Sequence, residues 1–318
     1  MAEDRQAGAA DVVGTSRLGF FALLTFFLGP AVVIYTAFSV WPLISTILYS
    51  FYHAGPNGTA FVGLANFATL LGDPGWSRPF WNALGNNIIF FAIHMAVQNP
   101  IGIALAALLS LPKLTGRAAY RTLIFMPTML SVVIIGFVWQ LILSPLWGIG
   151  EGFLAFFGLK SWFQPWLGQE GTALVTLSLI SVWQFVGIPM ILVYAALLAI
   201  PQDLTDAATA DGLNQFQIFL WVKLPLVAPT IGLVSVLTFV NNFNAFDLIY
   251  AVKGALAGPN FSTDIMGTLF YRTFFGNQLQ VGDPAMGATV ATMTFLVILA
   301  GLMVYLFVVQ RRLQRHSF

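Results

Sequence analysis

Four residues between positions 238 and 245 hold the chain's most suggestive chemistry. Thr238, Asn241, Asn242 and Ala245 fall at i, i+3, i+4 and i+7, which a helix brings onto one face. Three of the four are polar and none is charged. Amides and hydroxyls both donate and accept hydrogen bonds, as sugar hydroxyls do. The same groups also serve hydrogen bonds between helices, so both uses remain open. A second set lies upstream, where Trp183, Gln184 and Phe185 precede Gly187-Ile188-Pro189. Glycine and proline kink a helix, and aromatic faces stack on the apolar faces of pyranose rings. A packed kink around a buried tryptophan fits these residues equally well. Gln98-Asn99-Pro100 is a third polar break, whose amides would satisfy backbone groups freed by the proline.

Other chemistries find no support. The chain has no cysteine, which removes disulfides, thiolate metal sites and cysteine nucleophiles. His53, His94 and His316 are far apart and point to no metal site. No glycine precedes Lys113, Lys160, Lys223 or Lys253, so no P-loop is present to cradle ATP. The net charge of +1 includes no basic run that could hold nucleic acid.

These residues sit in a chain that water could not fold. It is 58% hydrophobic and 8% charged, against about 25% charged in a typical soluble domain. A bilayer removes the difficulty, because lipid-facing side chains need no polar cover. Crossing it takes about 20 apolar residues. Six stretches qualify, at 18–49, 86–111, 121–143, 173–200, 226–250 and 286–309. The predicted fold class is all-α, a polytopic membrane protein of six transmembrane helices. The first stretch is longer than needed and holds Pro30 and Pro42, which predicts a kink or an end lying along the interface. Turn-rich loops fill 52–81, 144–172 and 251–285 and carry several tryptophans, which favour the headgroup zone. Residues 1–17 read as a flexible cytoplasmic tail rather than a secretory signal, and 310–318 as a second tail.

Orientation follows from lysine and arginine. The two tails and the segments 112–121 and 201–225 hold nine of the thirteen, namely Arg5, Arg17, Lys113, Arg117, Arg121, Lys223, Arg311, Arg312 and Arg315. Arg78, Lys160, Lys253 and Arg272 lie on the other side. Both termini are therefore expected in the cytoplasm, with the three long loops outside.

Segment 200–229, IPQDLTDAATADGLNQFQIFLWVKLPLVAP, is amphipathic and falls in a cytoplasmic loop. Asp203 or Thr205 is a candidate helix cap, and Gly212 a left-handed stop. Alone, it reads as an interfacial helix pair joining two spans. Its pattern of Asp206-Ala207-Ala208, Asp211-Gly212 and Leu224-Pro225 resembles the signature loop of binding-protein-dependent ABC permeases. That loop reads Glu-Ala-Ala, three residues, Gly, nine residues, Ile, one residue, Leu-Pro. Asp206 stands where Glu is usual and Val222 where Ile is usual. The resemblance implies a type I importer permease fold spanning 18–309, with 201–225 as a coupling loop. A short helix there would dock in a cleft of an ATP-binding subunit. Ala207 and Ala208 would let the partner approach closely, and the aromatics beyond Gly212 would anchor the loop to its own bundle.

Residues 238–259 resemble the fifth-span region of carbohydrate permeases of the maltose type, through Phe246-Asp247, Ile249-Tyr250 and Gly258-Pro259. The usual Thr-x-Gly-Gly-Pro departs to a longer Lys253–Pro259 stretch. In that family the residues just before the fourth-span Gly-x-Pro line the sugar cavity, and Phe185 and Gly187 are the nearest matches. The resemblance implies an importer of a sugar or related polyol in a bacterial inner membrane. Its partners would be a second homologous permease, an ABC ATPase dimer, an extracytoplasmic substrate-binding protein and membrane lipid. It binds no cofactor itself, and ATP and magnesium belong to the ATPase. Two alternatives fare worse. A secondary transporter predicts ionisable residues within the spans, and Asp247 is the one acid there. A membrane enzyme predicts a catalytic constellation at a membrane boundary, and the sequence offers none.

Overall fold

The structure, a computed structural model, describes residues 17–55 and 58–310. The expected tails fall outside that range except for Arg17 and Gln310. Pro56 and Asn57 of the first turn-rich loop also fall outside it. The chain divides after Tyr49 into two compact units.

The first unit holds α1 (Arg17–Tyr35), a π-helical segment (Thr36–Val40) and α2 (Trp41–Tyr49). The predicted proline kink takes another form. The helix runs through Pro30, and its irregularity is the π segment just before Pro42. Pro42 follows that segment within a helix that continues to Tyr49.

The second unit opens on a short antiparallel hairpin, β1 (Tyr52–Gly55) with β2 (Gly58–Phe61), pairing Tyr52 with Phe61. Among the described residues it is a small exception to a mostly helical structure. After α3 (Ala65–Gly72) comes α4 (Pro74–Ile93), which passes through a π segment (His94–Gln98) into α5 (Asn99–Leu109). This element is 36 residues long and begins well before the predicted position 86. Asp73-Pro74-Gly75 reads as a turn but starts a helix. The Asp73 carboxylate accepts from the Gly75 N–H at 2.8 Å, and Pro74 fills the first helical position, where no N–H is needed.

The third predicted span is a pair, α6 (Arg117–Phe125) and α7 (Val132–Ile142), meeting at 96° across Met126–Met129. The loop after it contains α8 (Ile149–Phe156). The fourth is also a pair, α9 (Glu170–Phe185) and α10 (Gly187–Leu198), bent by 40°. Next come α11 (Gln202–Ala210), α12 (Gln215–Ile218), the π segment Phe219–Lys223 and α13 (Leu224–Leu226). The fifth span is α14 (Ala228–Phe243), interrupted at 244–246 before α15 (Asp247–Lys253). The chain closes with α16 (Met266–Phe275) and α17 (Pro284–Val304). Among the described residues, four helices are long and apolar enough to cross a bilayer, and up to six if each bent pair is one span.

Close approach of small residues packs this unit, since lipid gives helices no hydrophobic reason to associate. A Cβ on Gly102 of α5 would lie 2.7 Å from Pro189 Cγ of α10, so these two helices meet at a glycine. A Cβ on Gly136 of α7 would lie 3.0 Å from Val252 of α15. Phe80, Met266, Leu269 and Val290 bury the contact among α4, α16 and α17. The strap at 254–265 is held by asparagines of α4. Asn82 donates to the Phe261 carbonyl at 2.9 Å, and Asn86 to the Asp264 carbonyl at 2.8 Å. Arg272, read from sequence only as an outer-side charge, is buried and ion-paired with Asp264.

Candidate functional site

The polar stripe of α14 forms part of the wall of a cavity of about 340 Å³. Thr238 and Asn242 are buried on that wall; Asn241 also lines it but is exposed. Facing contributions come from Phe185 at the end of α9, and from His94 and Gln98 at the two ends of the π segment.

Hydrogen bonds fix how these groups point. Asn242 Nδ2 donates to the Thr238 carbonyl at 2.7 Å, which settles the amide orientation and turns Oδ1 away. That oxygen is buried without a partner, as is Gln98 Oε1. The Thr238 hydroxyl donates to the Val234 carbonyl at 2.9 Å and lies 3.2 Å from Asn99 Oδ1. His94 Nδ1 lies 2.7 Å from the Phe90 carbonyl. A carbonyl only accepts, so Nδ1 carries the proton, and in the neutral ring Nε2 accepts from Ser181 Oγ at 3.0 Å. Asn87 supports the wall from behind. Its Nδ2 donates to the Asn242 carbonyl at 2.8 Å, and its Oδ1 accepts from the Met266 N–H at 2.7 Å.

Three of the fourth-span candidates lie off this wall. Trp183 points to a separate, apolar cavity, edge-on to Trp139 at 5.6 Å between ring centroids. Gln184 is fully buried, and its Nε2 donates to the Leu130 carbonyl at 3.1 Å. Gly187 is a packing position, since a Cβ there would sit 2.9 Å from Phe125 Cα. The reason is helical phase. From 183 to 185 the chain turns through about 200°, so adjacent residues cannot share one wall. Conversely, His94 and Ser181 line the cavity, and no spacing or motif in the chain marks them. A lone histidine among apolar residues does not reveal a partner 87 positions away. Asp247 also reaches the wall, because the break at 244–246 turns α15 against the same space.

The loop at 201–225 takes a defined shape. α11 starts at Gln202, so Pro201 occupies the cap position predicted for Asp203 or Thr205; Asp203 lies in the first turn instead. The Thr205 hydroxyl donates back to the Gln202 carbonyl at 2.7 Å. Gly212 ends the helix at φ +85°, and the Leu213 N–H returns to the Ala208 carbonyl at 3.1 Å. Asp206 Oδ1 accepts from Gln202 Nε2 at 3.2 Å. Ala208 is buried within the loop, whereas Asp206, Ala207 and Asp211 are exposed. Only Ala207 of the alanine pair is open to a partner. The aromatics beyond Gly212 divide, and Phe219 packs against the buried cluster that holds Met190, Val193 and Val227. Ile218 is the buried residue beyond Gly212, while Phe216 and Trp221 are about 70% exposed (71% and 70%). Leu224 and Pro225 form the short turn into α14.

A family model described as binding-protein-dependent transport system inner membrane component matches residues 98–315. A probable ABC transporter permease of Pyrococcus horikoshii is 29% identical over 280 residues, covering 85% of this chain and 94% of that protein. The trehalose/maltose transport system permease MalF of Thermococcus litoralis is 26% identical over 293 residues, covering 92% and 93%. Among solved structures, a chain of a bacterial ABC transporter that imports the acidic polysaccharide alginate superposes with a TM-score of 0.78. It is 22% identical and covers 93% of this chain and 97% of its own. That likeness is one of fold.

Proposed function

The chain belongs to the family of binding-protein-dependent transport system inner membrane components, and on that premise we propose that it is the permease subunit of an ATP-driven importer for a sugar or related polyol. The observation that carries the substrate class is the cavity wall. Hydroxyl and amide groups at Thr238, Asn241, Asn242, Ser181 and Gln98 line it, with Phe185 as an aromatic face. Sugar-transport names among the relatives support the same reading.

Alternating access moves this wall between the two sides of the membrane. A second, homologous permease closes the path, and an ABC ATPase dimer supplies the force. The contact surface is Asp206, Ala207, Asp211 and Gly212, with Leu224-Pro225 carrying motion into α14. A substrate-binding protein delivers the solute from outside. ATP and magnesium sit on the ATPase, and this chain contributes no catalytic group. Both termini lie in the cytoplasm, the membrane domain runs over 18–309, and short tails flank it.

The test is reconstitution with the partner permease, ATPase and binding protein in liposomes. ATP-dependent uptake of at least one radiolabelled neutral sugar is the expected result. Uptake driven by a proton or sodium gradient without ATP would overturn the proposal, as would ATP turnover by the purified chain alone.

A further inference from the structure

The cavity wall has a bias beyond being polar. Several of its side-chain donors are engaged within the protein. Asn242 gives its amide hydrogen to the Thr238 carbonyl, and Asn244 gives its own to the Val240 carbonyl at 3.0 Å. Thr238 donates to Val234, and Ser181 donates to His94 when the ring is neutral. The Asn242 Oδ1 and Gln98 Oε1 atoms are buried and unpartnered, in side chains 5% exposed. The wall also includes Asp247, and no lysine or arginine among the described residues lines it. Buried acceptors without partners favour a ligand that brings hydrogens. The Asp247 carboxylate, which is exposed on this wall, repels a like charge, and dissolved salt weakens that repulsion.

We propose that this wall selects by charge. It takes uncharged or ammonium-bearing carbohydrate and rejects carboxylated or phosphorylated carbohydrate, with Asp247 as the specificity-determining residue. The inference rests on the transport reading above and adds to it a chemical class and a residue. A purely local role for Asp247 also exists, since an acid in the first turn of α15 suits a helix start. The two roles separate by experiment.

The measurement uses the purified complex with its ATPase but without the binding protein, whose own selectivity would otherwise enter. A radiolabelled neutral sugar found to be taken up in liposomes is displaced by three competitors: its unlabelled form, its uronate form and its amino form. The amino form should displace at least as well as the neutral sugar, and the uronate at least tenfold less well. The tenfold gap should shrink as ionic strength rises. Asp247→Asn should narrow it to within about threefold, while Asp247→Glu keeps it. Co-purification of the ATPase reports whether each variant has assembled. Displacement by the uronate within twofold of the neutral sugar would overturn the proposal. So would an assembled Asp247→Asn complex with an unchanged gap, which would leave Asp247 a helix-start residue. If no neutral sugar is taken up at all, the transport reading falls and this one with it.

Discussion

Asn87 holds two elements together with one side chain. Its amide oxygen accepts from the Met266 N–H, a group at the start of α16, and its amide nitrogen reaches the Asn242 carbonyl on α14. Leucine has the same heavy-atom branching and neither function. Asn87→Leu should leave the Met266 N–H buried and unpaired, at a cost of about 1–3 kcal/mol. The expected outcome is a lower unfolding temperature of the purified complex in detergent. Asn242→Ala should behave differently. The Thr238 carbonyl still has its helical partner, so assembly should survive. The loss falls on the unpartnered Oδ1, and a sugar hydroxyl that used it would give up about 1–3 kcal/mol, or roughly tenfold in affinity. Uptake of several sugars, measured beside the assembly yield, checks this. Reduced yield at unchanged specificity would make the stripe structural. Of these two residues, the sequence reveals only Asn242. Its spacing with Thr238 marks a face, because both lie on one helix. Asn87 acts across 155 and 179 positions of chain, a distance over which sequence spacing carries no geometry.

At the scale of elements, the loop at 201–225 separates two alanines that the sequence presents as a pair. Ala207 is exposed, and Ala208 is 7% exposed beneath α12 and the π segment. Ala207→Trp should leave the subunit folded and remove ATPase docking, since the bulk falls outside the loop. Ala208→Trp should spoil the loop itself, because overpacking a filled site costs about 1–3 kcal/mol. Pull-down of the ATPase, combined with limited proteolysis of the loop, distinguishes the two. Docking by Ala207→Trp at the wild-type level would move the contact surface elsewhere. Helix existence was legible here and helix ends were not. Asp73-Pro74-Gly75 shows why: the same three residues serve as a turn or as a cap followed by Pro at the first helical position. Only the packing of Phe80 and Ala83 against the last helices decides for the helix. The π segments are equally hidden. An extra residue in a turn at His94–Gln98 leaves no mark on hydropathy, yet it sits where the wall is built.

For the whole molecule, the open question is which side each loop faces. Composition fixed membrane residence, since 58% hydrophobic against 8% charged has no other stable setting for helices of this length. The lysine and arginine bias predicts direction, and one of its thirteen charges, Arg272, is spent in a buried ion pair with Asp264. Leaving Arg272 out lowers the outer side from four charges to three and strengthens the bias. A chain without cysteine makes the test direct. Single cysteines at Leu146, which is 92% exposed in the loop before α8, and at Thr209, exposed on α11, can be labelled in intact cells. A membrane-impermeant maleimide should reach Leu146→Cys from outside at once. It should reach Thr209→Cys only after the membrane is opened. The spans between these positions are the fourth, bent at Val186, and nothing else, so opposite labelling also requires that α9 and α10 together cross the bilayer once. Labelling of both positions from the same side would mean that the 40° bend returns the chain to its starting face, which would reduce the number of spans and remove the cytoplasmic placement of the docking loop.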